Sequence, residues 1–326
     1  MKSRSVFFVV CLFCAWLAGC NGEQTVLSVV VNPLNPNVLY AGAAGGGFYK
    51  STDGGATFSR LTQGLSRYNI STIAINPSFA TVLYAGTYGD HIYRSVDGAR
   101  RWMLLSDGLS DNVGTQAINA LVMDPQAPEV LYAGTNHGVY KSADGGGQWK
   151  AVNMGIGNRF AIALAMDPLE SRILIAGTNQ GIYRTQDAAA TWRLVDPETR
   201  SWAVNVLVFS GRNLLYAGTD RGVFVLDFSR RPVTWRSGND GLRSLFVSAL
   251  VADVEQPDRL YAGNNDGVHI TTDGARSWRL LPGAPGAVTS LAMDTRRAAL
   301  FAGTTSGLYK GENRGARWTQ ITLPHE

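Results

Sequence analysis

The phrase Tyr-Ala-Gly, or a close variant, returns seven times along this chain, with its glycines at Gly42, Gly86, Gly134, Gly177, Gly218, Gly263 and Gly303. The intervals are 44, 48, 43, 41, 45 and 40 residues. A period of about 43 residues is that of one four-stranded blade, not of a helical or leucine-rich repeat. Residues 71–105 show how one copy is built. Ser71 to Ile75 alternates and is β-branched, as an inner strand should be, and Asn76-Pro77 ends it because proline donates no amide and restricts its neighbour. Pro33, Pro125 and Pro168 stand at the same place in other copies. Val82 to Thr87, Ile92 to Ser95 and Trp102 to Leu105 supply three more strands, and no segment has sustained helical periodicity. The chain is predicted to be all-β, a seven-bladed β-propeller of four-stranded antiparallel blades over residues 25–326.

Between the third and fourth strands runs Ser51-Thr52-Asp53-Gly54-Gly55-Ala56-Thr57-Phe58, and again Ser142 to Trp149 around Asp144. Asp97, Asp187 and Asp273 hold the same place in further copies; Asn313 replaces the Asp near Trp318, and the copy ending at Trp235 lacks the motif. An Asp there can accept from the amides of its own turn, and the glycines can take positive φ. These turns resemble the Asp-box, or BNR, repeats of sialidases, sortilin ectodomains and xyloglucanases. An active site is needed once and a turn in every blade, so the five aspartates read as structural. The repeating tryptophans, Trp102, Trp149, Trp192, Trp235, Trp278 and Trp318, read as packing between blades.

Ahead of the repeats, Lys2 and Arg4 precede an apolar run from Val6 to Leu17 that ends in Leu17-Ala18-Gly19-Cys20. The run is too short to span a bilayer and has the charged start and small-residue finish of a secretory signal. Its end resembles a bacterial lipobox, which implies a signal peptide over 1–19, lipidation of Cys20, and a short tether over 20–24. Asn21, not Asp, follows the Cys, which in a Gram-negative cell implies the outer membrane. Cys11 and Cys14 are lost with the signal, so the mature chain has no thiol pair for a disulfide. The formal charge of +4 falls to about +2 without Lys2 and Arg4, too near neutral for a nucleic-acid partner. Membrane association is expected through the lipid alone, and the chain is read as a monomer.

Connections from the fourth strand to the next first strand, and from second to third, must share one rim. Four of the former carry an Arg closely followed by an aromatic: Arg67-Tyr68, Arg159-Phe160, Arg200-Ser201-Trp202 and Arg243-Ser244-Leu245-Phe246. Arg221 lies on a second-to-third turn beside them. Guanidinium groups next to aromatic faces suit a carboxylate, a phosphate or an acidic peptide; the alternative is that each Arg merely covers its aromatic neighbour. His91, His137, His269 and His325 are scattered without ligand spacing, so no metal is expected, and no phosphate-cradling motif implies a cofactor. No arginine triad with a Tyr/Glu pair marks a sialidase. Xyloglucanases set two propellers across a cleft, each supplying an Asp, and this chain has one, with Asp90, Asp111, Asp220, Asp240 and Asp266 as rim acids. The expected function is that of a non-catalytic envelope lipoprotein whose rim binds a protein or peptide, an assembly or scaffold factor similar to the single-propeller photosystem II assembly factors. The alternative is polysaccharide binding or glycoside hydrolysis. Blade boundaries leave no strand to exchange between the chain ends, so closure is expected to rest on side-chain packing and to be the weakest junction.

Overall fold

Seven four-stranded sheets, each antiparallel and in strict chain order, form the computed structural model, which describes residues 24–66, 68–109, 117–211, 213–229 and 233–324. The inner strands are Val26–Val31, Asn69–Ile75, Ile118–Met123, Ala161–Met166, Val204–Ser210, Val247–Ala252 and Val288–Asp294. The outermost strands are short, down to two residues in Ser59–Arg60 and Lys150–Ala151. Two short 3-10 segments, Ala44–Gly46 and Pro197–Ser201, are the helical elements among the described residues. The signal segment and Cys20 lie outside them.

The glycine of Tyr-Ala-Gly is there because blades approach one another over it. A Cβ on Gly42 would sit 2.4 Å from Ile70 Cγ2 of the next blade, and one on Gly263 would sit 2.4 Å from Val288 Cγ1. The side chains facing these glycines belong to seven apolar clusters, most of them bridging a pair of neighbouring blades. The fold is thus a ring of interfaces.

Each inner strand also carries a β-bulge near its start, shown by register shifts such as Ile70/Thr72 and Val288/Ser290. A bulge re-aims a side chain, and here it aims at the neighbour. Ser71 Oγ donates to the carbonyl of Ile118, Asn119 Nδ2 to Ala161, Asn205 Nδ2 to Val247, and Ser248 Oγ to Val288. Thr289 Oγ1 makes the same bond to Val26, from the last blade to the first. Leu27 and Ile162 occupy the bulge in the other two blades and have nothing to donate.

A second repeated device joins blades at the rim of the aspartate turns. Asp53 Oδ1 accepts from the amides of Ala56 and Thr57 and from Ser51 Oγ, while Thr57 Oγ1 donates to Oδ2. The turn so held offers a carbonyl outward. Lys50 donates to Gly98 O, Lys141 to Ala188 O and Lys310 to Gly54 O, each reaching the next blade's turn. Each ammonium also lies over the aromatic ring of its own blade's repeat phrase: Tyr40 at 5.5 Å, Tyr132 at 5.3 Å and Phe301 at 6.0 Å. Tyr84 Oη takes the part directly, donating to Gly145 O at 2.9 Å. In the fifth blade, where the motif is missing, Arg236 of the outer strand donates to Gly274 O and Ala275 O instead.

Among the described residues no strand is exchanged at closure: the first sheet holds only N-terminal strands and the last, ending in Arg317–Ile321, only C-terminal ones. Closure does not rest on packing alone. The seam carries both repeated links, Thr289 to Val26 and Lys310 to Gly54, and adds Thr25 Oγ1 to Thr305 O and Arg297 to Asn37 Oδ1.

Candidate functional site

Hydrogen bonds sort the connections into two rims. Aspartate turns donate to the first-to-second connection of their own blade, as in Gly98 N to Thr81 O and Gly145 N to Glu129 O, and so mark the lower rim. On the upper rim, fourth-to-first connections bond to second-to-third turns: Ala203 N to Asp220 Oδ1, Asn264 Nδ2 to Ser244 O, and Asn239 Nδ2 to Arg221 O. Four of the upper connections are held tightly against the next blade for a reason legible in the repeats. Gly64, Gly108, Gly155 and Gly241 take positive φ where the next blade's Trp102, Trp149, Trp192 or Trp278 carbonyl leaves no space for a Cβ. The residue that follows, Leu65, Leu109, Ile156 or Leu242, plugs into the apolar cluster beneath.

The upper rim exposes Arg159, Arg200, Arg221 and Arg243. Among the described residues none of the four has a carboxylate partner or lies over an aromatic ring. Arg67 lies outside the described residues. Tyr68 is 47% exposed, seated edgewise on Gly89, and Phe246 is 47% exposed beside the exposed Leu245. Phe160 is half-buried. Met154, on the connection before Arg159, is 70% exposed and has no counterpart in the Arg-aromatic pattern.

Trp202 does not belong to this surface. It is 7% exposed, stacked on Phe224 with centroids 3.9 Å apart and 19° between planes, and edge-on to Trp235. Asp196 caps the 3-10 turn ahead of it by accepting from Glu198 N, and that turn drives Trp202 inward. Its spacing from Arg200 imitates the other three pairs, but its side chain joins the apolar cluster of the fifth blade, with Phe224 and Trp235.

Two of the rim acids are occupied in holding the rim. Asp90 accepts from Tyr93 Oη and Asp220 from Ala203 N. Asp111 lies outside the described residues. No group of three or more metal-ligating side chains occurs among the described residues. The aspartates of the lower turns hold their charge strongly: bonds from Thr185 and Thr191 bring Asp187 down to about 2, and bonds from Thr57 and Ser51 hold Asp53 well below the ordinary range. A carboxylate this acidic, with its oxygens spent on its own turn, is a poor proton donor or base at neutral pH.

Beneath the Arg243–Phe246 connection lies a residue that the repeat logic could have flagged. Third strands carry an aromatic at one position, Tyr49, Tyr93, Tyr140, Tyr183, Phe224 and Tyr309, and the sixth blade has His269 there. His269 is 0% exposed, and neither ring nitrogen makes a hydrogen bond of normal geometry. Burial pushes its pKa below 6.5, with Asp266 opposing and Arg243 reinforcing the shift.

No family model matches the chain, and no curated protein matches it. Solved structures do. It aligns with the GH74 xyloglucanase from Xanthomonas campestris at TM-score 0.78 and 18% identity, over 93% of this chain and 55% of that one. An ancestral GH74 enzyme aligns at 0.71 and 16%, over 92% and 46%. The chain spans about half the length of these enzymes. YCF48 bound to D1 peptide aligns at 0.68 and 15%, over 92% of this chain and 93% of that one. The likeness is one of fold.

Proposed function

We propose that the upper rim binds an acidic segment of a protein or peptide, and that the chain is a non-catalytic envelope lipoprotein held by Cys20. The observation that carries this is the set of exposed arginines that, among the described residues, have no carboxylate partners, interleaved with half-exposed Tyr68 and Phe246, on the connections of one rim. Guanidinium forks take carboxylates in bidentate pairs, and exposed aromatic faces add apolar area at little entropic cost. The length correspondence supports the same reading, because 92% of this chain aligns with 93% of a chain solved with a bound peptide. Arginines spread round a ring would read an extended ligand at several points.

The glycosidase reading draws on the GH74 likeness, which covers about half of those enzymes. It would need two free carboxylates facing one another, and Asp90 and Asp220 are bound into the rim.

The test is titration of the mature soluble domain with glutamate-rich peptides, beside a glycan array and a reducing-sugar assay. Peptide binding that falls at least about tenfold in Arg159→Ala or Arg243→Ala, with an unchanged melting temperature, is the expected result. Sugar release, or glycan binding without peptide binding, would overturn it.

A further inference from the structure

The chain enters the ring at a fixed place. Gln24 Nε2 donates to Ala44 O at 2.9 Å, its Oε1 accepts from Tyr49 Oη, and its amide fits against Gly47. Thr25 follows, its carbonyl accepting from Ala44 N and its hydroxyl donating to Thr305 O. Ala44, Gly47 and Thr305 all belong to second-to-third connections, so Gln24 is fastened to the upper rim. Because it leads into an innermost strand, Val26–Val31, it is fastened beside the central channel.

Cys20 stands four residues before Gln24. However those residues are arranged, four residues span at most about 14 Å. An acyl group on Cys20 would therefore bring the channel mouth, and not the aspartate turns, within about 14 Å of the lipid surface. A single helix or hairpin about 10–12 Å thick fits such a gap, whereas a folded domain of two packed layers does not. The charge pattern argues against direct docking on anionic lipid. The four described rim arginines are interspersed with Asp107, Asp196, Glu198, Asp240 and Asp266, so the rim offers guanidinium forks at separate points, which an extended acidic segment can meet one at a time, and not the continuous basic surface that anionic headgroups would hold.

We infer that the arginine-bearing rim faces the bilayer that anchors the protein, and that the acidic segment it binds is presented from that same bilayer, as a tail or juxtamembrane stretch of an integral membrane protein. This rests on the acylation of Cys20 proposed above. It gives the short tether a purpose: partner and receptor share one surface, which raises their effective concentration without any new contact.

Acylation leaves the mature chain without a free thiol, so one introduced cysteine can carry a fluorophore. Asn265→Cys reports the upper rim and Glu129→Cys the lower; both positions are exposed. In vesicles containing a headgroup-nitroxide phospholipid, the Asn265 label should be quenched several-fold more than the Glu129 label. A flexible Gly/Ser insertion between Gly22 and Glu23 should abolish the difference. A glutamate-rich peptide carried on a lipid in the same vesicle should bind many-fold tighter than the free peptide. Equal or inverted quenching would overturn the orientation. Quenching that survives the insertion would mean that the rim docks on headgroups itself. Equal affinity for free and anchored peptide would remove the shared-bilayer partner, and no binding of either would remove the rim reading. Palmitate labelling of wild type against Cys20→Ser separates these failures from failure of the anchor, since an unlabelled wild type sinks acylation alone.

Discussion

The ammonium of Lys310 donates to the carbonyl oxygen of Gly54 at 3.0 Å, joining residues 256 positions apart where the two ends of the chain meet. Lys50 and Gly98 make the same bond within the ring at 2.9 Å. The seam is therefore built like an ordinary junction, and its opening should cost as much as opening any other. Lys310→Met keeps the apolar stem over Phe301 and removes the bond, which should cost about 1–2 kcal/mol. Hydrogen exchange should then speed up in the first and last blades only, while Lys50→Met should loosen the first and second by a similar amount. A wild-type ring already exchanging fastest at residues 25–66 and 280–323 would show that the seam is weaker than its bonds suggest.

The glycines of the repeat phrase make a separate prediction. Gly263→Ala sets a methyl against the stiff, β-branched Val288 at 2.4 Å, and should destabilise by about 1–3 kcal/mol through overpacking. Gly134→Ala meets its nearest atom, the Ala161 carbonyl oxygen, only at 3.2 Å and should cost less. Denaturant melts of the two variants would rank them, and the reverse order would show that inter-blade distance does not set the glycine.

Strong acid should act on the aspartate turns. Asp187 titrates near 2 in the fold against an ordinary 3.8, and Asp53 lies lower still. In the window between those values the unfolded chain holds more protons, so their stabilising effect is complete above about pH 3.8 and is lost progressively below it. Asp53→Ala, which strands the amides of Ala56 and Thr57, should lower stability by about 1–2 kcal/mol at neutral pH and flatten the acid limb of the melting curve. Peptide binding by the folded fraction should be unchanged; loss of binding at an unchanged melting temperature would make the carboxylate functional.

The repeat made blade number, strand order and both rims legible, because each blade restates the same constraints. Asn69–Ile75 and Leu83–Tyr88 differ from the expected strands by a residue or two. What period alone could not give was the reason for each signature residue. Tyr-Ala-Gly reads as a strand, yet its Tyr serves the next blade's turn and its Gly serves the next blade's inner strand, and neither partner is near in sequence. The bulge ring was hidden because Ser71, Asn119, Asn205, Ser248 and Thr289 share a hydrogen-bonding role without sharing an identity. At the rim, the Arg-aromatic spacing marked its aromatics alike, but Tyr68 and Phe246 lie at the surface while Trp202 turns inward onto Phe224, a difference set by contacts with a strand about twenty residues away and so invisible to spacing.

The aromatic slot of the sixth blade gives the last prediction. His269 occupies a position that five blades fill with Tyr and one with Phe, and the corresponding Tyr93 donates to Asp90 three residues before it. Asp266 stands three residues before His269. The imidazole is too short to make that bond and is left neutral and without a well-formed partner under the Arg243 connection. Its folded pKa is depressed below an unfolded value of 6.5, so the unfolded chain binds more protons between the two values and stability rises with pH there. Destabilisation should begin as pH falls below about 6.5 and grow at up to about 1.4 kcal/mol per pH unit until the folded value is reached. His269→Tyr should restore the bond, through Asp266, and gain about 1–2 kcal/mol. Melting curves of both proteins at about pH 7.5 and about pH 5.5 would show it, since the variant should lose the wild type's mild-acid decline. A decline of equal size in the two would locate the sensitivity elsewhere in the ring.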